Sequence, residues 1–146
     1  MPELVEVLKL AVAKGASDIH LVVGKAPMLR VHGEMLPLEG HPILDADESE
    51  RMIYSVLYED QRARFERDWE LDCSFAISDV ARFRVNVFQQ KKGAAAVLRV
   101  ISSRIPTPQE LGLMPSVVKL ISEPRGLVLV TGPTGSGKST TLASLI

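Results

Sequence analysis

The sequence predicts an α/β protein, and three observations carry that expectation. Leu4, Val7, Leu8, Ala11 and Val12 recur at i, i+3, i+4, i+7 and i+8, the stripe of an amphipathic helix. From Trp69 to Ile101 the apolar period changes to two, as in strands that bury one face. Near the end, the β-rich apolar run Gly126 to Thr131 leads into G-P-T-G-S-G-K-S at Gly132 to Ser139, and Thr140 to Ile146 can begin a helix.

Taken in order, the first helix has Pro2 near its start and Gly15 as its stop. Ser17 to Val23 alternates towards a strand. Pro27 to Val31 and Glu34 to Leu38 form two more around a turn at His32-Gly33. Asp47 followed by Glu50 resembles a capping pair, and Met52, Ile53, Val56 and Leu57 supply the next helix's apolar face. The charged stretch Glu59 to Asp68 reads as a solvated helix. In the next segment Leu71, Cys73, Phe75 and Ile77 alternate with polar or small residues, and Phe83, Val85 and Val87 alternate with Arg82, Arg84 and Asn86. With Ala94 to Ile101 they make an antiparallel meander, turning near Ser78-Asp79 and Lys92-Gly93. Prolines 106, 108 and 115 mark a linker, and Val117 to Ile121 a short helix.

Composition narrows the class. The 146 residues carry 17 Lys+Arg against 18 Asp+Glu, a net charge of −1 that excludes nucleic-acid binding through bulk positive charge. Hydrophobic residues make up 46%, too many for a disordered chain. The single cysteine, Cys73, permits no internal disulfide or thiolate zinc cluster, and its alternation with Leu71 and Phe75 places it in the core. There is no apolar run of membrane-spanning length and no secretory pattern at Met1-Pro2-Glu3, so a cytosolic protein is expected. A strand as apolar as Leu127 to Val130 needs neighbours on both sides. The expectation is therefore the front portion of a longer protein, cut just after its phosphate loop.

Gly132-x4-Gly137-Lys138-Ser139 matches the Walker A pattern. Gly135 and Gly137 permit positive φ, letting backbone amides turn inward around phosphate oxygens, and the following helix adds its positive N-terminal end. Lys138 can bridge β- and γ-phosphates, and the Ser139 hydroxyl can ligate Mg²⁺. The nucleotide-binding set is Gly132, Pro133, Thr134, Gly135, Ser136, Gly137, Lys138, Ser139 and Thr140. Plainer roles are expected elsewhere. Asp18 and His20 read as strand-end hydrogen-bonding residues rather than metal ligands. His32 reads as a turn residue, His41 as a loop residue and Trp69 as packing with Phe65 and Phe75. Glu70 and Asp72 lie on one strand with no partner base.

Several motifs resemble one family in their order along the chain. Gly15-Ala16-Ser17-Asp18-Ile19-His20-Leu21, Arg82-Phe83-Arg84-Val85-Asn86, the Ile105-Pro106-Thr107-Pro108 to Leu111-Gly112-Leu113 linker and the Gly132 to Thr141 loop are similar to those of the bacterial secretion and type IV pilus motor ATPases. The short N-terminus and single cysteine favour the pilus retraction, or twitching-motility, subgroup (PilT-like). The resemblance implies a PAS-like α+β domain with a mainly antiparallel sheet over 1–101, a linker over 102–116, and the start of a RecA-like ATPase domain over 117–146. It implies ATP and Mg²⁺ as cofactors, and a homohexamer in which each N-terminal domain packs on the neighbour's ATPase domain. It also implies a cytoplasmic place at the inner-membrane base of the pilus, beside the platform and pilin machinery, with no nucleic-acid partner. The family's acidic box, Walker B segment and histidine box would lie beyond Ile146, so ATPase activity is expected of the intact protein and not of these 146 residues alone. By motif position Arg84 and Arg99, with Arg82 third, are the arginines that would join Lys138 in catalysis, a planar guanidinium being suited to phosphate oxygens. The competing readings are ordinary surface ion pairs for these arginines and, for the chain, a PAS-like binding, sensing or oligomerisation module with a passive P-loop.

Overall fold

The computed structural model describes residues 4–101, 105–133 and 136–146. They divide into two compact units, one up to residue 102 and one from 103 onward. The first contains α1 (Leu4–Ala13), β1 (Ala16–Leu21), β2 (Met28–Val31), β3 (Glu34–Pro37), α2 (Ala46–Tyr54), α3 (Glu59–Asp68), β4 (Glu70–Ile77), β5 (Ala81–Gln90) and β6 (Gly93–Ile101). The six strands form one sheet in the order β3-β2-β1-β6-β5-β4, and each neighbouring pair is antiparallel. The expected α+β domain with its antiparallel meander is therefore present.

Strand alternation decides what each sheet face does. One row across the sheet reads Leu29, Ile19, Leu98, Val85, Cys73. The first four are buried, and Cys73 is half-buried against the same core. Leu4, Val7, Leu8 and Ala11 of α1 and Met52 and Ile53 of α2 belong to this core. The adjacent row, shifted by one residue, reads Arg30, Asp18, Arg99, Arg84, Ser74 on the other face.

Two joints fix the helices. Gly15 ends α1 at φ 71, as expected of a left-handed stop. Helix α2 is held by Ser49, fully buried, whose hydroxyl donates to the Ala94 carbonyl at 2.7 Å. Beside it Gly93 lies at φ 138, where an added Cβ would come within 3.2 Å of both Ala46 and Val23. The turn at His32-Gly33 has φ 49 and 88, the paired positive values that suit a tight hairpin.

Two expectations about the first unit are corrected. The α2 cap is Asp45 with Glu48, not Asp47 with Glu50. Asp45 has the extended backbone (φ −85, ψ −177), and its carboxylate accepts from the Glu48 amide at 2.8 Å. Asp47 already lies inside the first turn. Trp69 does not pack with Phe65 and Phe75, being 67% exposed. It caps α3 in the left-handed conformation (φ 60), while Phe75 stacks on Phe83 at 5.4 Å. Pro2 lies outside the described residues.

The second unit contains α4 (Pro115–Lys119), a 3-10 turn over Leu120–Ser122 and α5 (Lys138–Leu145). The expected strand at Gly126 to Thr131 does not form here. Leu127, Val128 and Leu129 are 82%, 56% and 74% exposed, because a buried parallel strand exists only with ladder partners on both sides.

Candidate nucleotide loop and arginine face

Helix α5 begins at Lys138, directly after Gly137, which adopts φ 90 and serves as its N-cap without a side-chain hydrogen bond. The Thr141 amide donates to the Gly137 carbonyl at 2.8 Å, the first turn of the helix. The amides ahead of it have no acceptor within a helix, which leaves them available to an anion. Lys138 folds back over the loop, its ammonium donating to the carbonyls of Gly132 at 2.8 Å and Pro133 at 2.6 Å. The Ser136 amide donates to Pro133 at 3.3 Å. Gly132 lies at φ 148, where an added Cβ would sit 2.7 Å from the Ser136 hydroxyl oxygen and force that hydroxyl aside. Ser139 and Thr140 stand in the first turn of α5. Thr134 and Gly135 lie outside the described residues. The loop thus has the glycines, the inward lysine and the helix start that a phosphate cradle requires.

The first unit brings the candidate arginines together. Arg84 and Arg99 face each other directly across β5 and β6. Like charges so placed repel, and each is matched by a carboxylate. Arg84 forks onto Asp72 of β4, Nε donating to Oδ1 at 3.2 Å and Nη2 to Oδ2 at 2.6 Å. Arg99 Nε donates to Asp18 Oδ1 at 3.0 Å. Asp18 also accepts from the Ser17 hydroxyl at 2.8 Å and pairs with Arg30 at 3.5 Å. Between the two pairs lies an open concavity of about 280 Å³, lined by Asp72, Arg84, Asn86, Val97 and Arg99. Arg82 stands opposite Ala76 and Ile101, one row beyond that concavity and not among its lining residues.

The ionisations follow from these contacts. Burial opposes the charge of Asp18, but hydrogen bonds from Arg99 and Ser17 and the nearby arginine charges outweigh it and hold the carboxyl below its ordinary value. Asp72 is lowered by its hydrogen bonds from Arg84, which is raised in turn. His20 is lowered, first by burial and then by Arg30, against the pull of Asp18. Its buried Nε2 has no hydrogen-bond partner among the described residues, so the strand-end hydrogen-bonding role expected of it is seen only for Asp18. Sequence reasoning missed Asp72 and Asp18 as arginine partners, because their pairing depends on a strand register that periodicity does not supply.

The family model described as type II/IV secretion system protein matches residues 2–146. The chain belongs to that family. The secretion-system relatives include the type IV pilus retraction ATPase PilT of Pseudomonas aeruginosa, 48% identical over 99% of this chain and 42% of that protein. A twitching motility protein of Neisseria gonorrhoeae is 50% identical over 82% of this chain and 32% of its own length. Among solved structures, the pilus retraction motor PilT with bound ADP aligns at a TM-score of 0.86 with 43% identity, covering 99% of this chain and 42% of that one. The resemblance to the retraction motors stated from the motifs is thereby borne out. The chain spans less than half the length of the relatives it matches. Among the described residues no helix is long and apolar enough to cross a membrane.

Proposed function

We propose that the chain forms the N-terminal part of a hexameric, ATP-hydrolysing motor that retracts type IV pili and so drives twitching motility. The observation that carries this reading is the loop at the start of α5, where Gly137 caps the helix and the Lys138 ammonium folds back onto the Gly132 and Pro133 carbonyls, in a chain similar to retraction ATPases. Gly132 to Thr140 would hold the nucleotide phosphates, with Thr134 and Gly135 in the same loop, and Ser139 would reach Mg²⁺ through the nucleotide. Bound Mg²⁺ supplies neutralisation of charge on the phosphate oxygens. Lys138 orients the phosphates, and the amides at the start of α5 complete the shell.

The domain scheme belongs to the same reading: a PAS-like domain over 1–101, a linker over 102–116 and the start of a RecA-like domain over 117–146. Arg84 and Arg99, and less directly Arg82, would approach phosphate from a neighbouring copy in the hexamer. The motor would stand on the cytoplasmic side of the inner membrane beneath the pilus platform and pilin machinery. The 146-residue chain alone is expected to show no steady-state turnover, because phosphoryl transfer needs acidic groups to position water and Mg²⁺ and the segment Gly126 to Ile146 contains none. In a chain extended to the relatives' length, ATP hydrolysis should be measurable and Lys138→Ala should abolish it. Hydrolysis unaffected by Lys138→Ala would overturn the assignment.

A further inference from the structure

Arg84 and Arg99 face each other on one concavity, yet their carboxylate partners are built differently. Asp18 lies under the face with its side chain 9% exposed, braced by Ser17, Arg30 and Arg99 together. Asp72 lies at the edge strand with its side chain 47% exposed, and Arg84 is its one charged partner among the described contacts. The Arg99 contact uses Nε, whereas the Arg84 contact occupies the Nε–Nη2 edge of the guanidinium that a phosphate would also engage.

We propose that Asp72 is a latch on Arg84 and Asp18 a fixed mount for Arg99, so that a phosphate group entering the concavity displaces Asp72 and leaves Asp18 in place. This rests on the reading of the arginines as phosphate ligands and adds how that site is regulated. The latch opens at low cost because an exposed ion pair is weak. The mount resists because stripping one partner from a shielded carboxylate leaves it imperfectly paired. Asp72 thus keeps Arg84 occupied until phosphate arrives. Asp18 holds the Arg99 side chain at the same concavity whether or not phosphate is there.

Two substitutions that remove the same charge should therefore act in opposite directions. The probe is inorganic tripolyphosphate, titrated into the ¹⁵N-labelled full chain carrying Lys138→Ala to silence the loop, with the Nε–Hε signals of Arg84 and Arg99 followed by NMR. Asp72→Asn should tighten binding about two- to fivefold, since the competing carboxylate is gone. Asp18→Asn should weaken it by a similar factor, although bulk electrostatics would favour tightening. Where Asp18→Asn fails to fold, Asp18→Glu takes its place: it keeps the charge but displaces the carboxylate, so binding should weaken, and unchanged or tighter binding overturns the mount. If both neutral variants tighten binding, or neither changes it, the latch and mount are overturned while phosphate binding at the arginines stands. If neither arginine signal responds to tripolyphosphate in any variant, the phosphate reading of this face is overturned, and the latch with it.

Discussion

Replacing Ser49 with alanine removes one hydroxyl from the joint between α2 and the sheet. That hydroxyl is fully buried and donates to the Ala94 carbonyl at 2.7 Å, 45 residues away in sequence. The lost hydrogen bond is worth about 1 kcal/mol net, and a buried carbonyl deprived of its donor raises the cost to about 1–3 kcal/mol. For a unit of this size that corresponds to a fall in Tm of roughly 5–20 °C. Urea unfolding of the full chain, followed by far-UV circular dichroism, measures it directly, since the exposed Trp69 makes a poor reporter of the core. Ser55→Ala is the control. Its hydroxyl donates to Met52 at 2.6 Å within its own helical turn, so its loss should cost less than about 0.5 kcal/mol. A Ser49→Ala protein within about 0.3 kcal/mol of wild type would refute the claim that this bond fastens α2.

Gly93→Ala should destabilise by about 1–3 kcal/mol in the same assay, because its φ of 138 and its 3.2 Å approach to Ala46 and Val23 leave a methyl no relaxed position. Trp69→Gly should raise stability by about 0.5–1 kcal/mol, since an exposed residue held at φ 60 loses strain and little burial. The His20 value is lowered from 6.5, so the unfolded chain takes up a proton first. Stability present above pH 6.5 is lost as pH falls towards the folded value, and His20→Gln should flatten that part of a pH–stability curve. Asp18 works on the acid limb. Its folded value lies below the ordinary 3.8, so its contribution is whole above that pH and is lost as pH falls through the folded value, a slope that Asp18→Asn should remove.

Alternation and turn residues made much of the first unit legible. The inward set Phe83, Val85 and Val87 is buried, and both expected turns of the meander are present. The errors have local physical causes. Asp45, Asp47, Glu48 and Glu50 offer two capping pairs at the same spacing, and only the backbone angles at Asp45 choose between them. Trp69 looks like core by composition, but it stands exposed at the end of α3. The run Leu127 to Val130 has strand composition, yet a strand is a property of a pair, and no partner among the described residues supplies its ladder. In the candidate site, the loop Gly132 to Ser139 could be picked out because its pattern is written in consecutive residues. The arginine partners were not, because Asp72 and Arg84 meet through β4–β5 pairing and Asp18 and Arg99 through β1–β6 pairing.

That last pairing sets an order in time. Asp18 and Arg99 are 81 residues apart, while β1 and β6 sit side by side in the middle of the sheet. At about 5–20 residues per second, a ribosome that has made Asp18 needs roughly 4–16 s more to reach Arg99. The hairpins β2–β3 and β4–β5 can close locally during that interval, but β1 keeps one edge unpaired until β6 arrives. The arginine face therefore comes into being in the same event that completes the sheet. Any chain interrupted before β6 would have neither a closed sheet nor Arg99 on its mount.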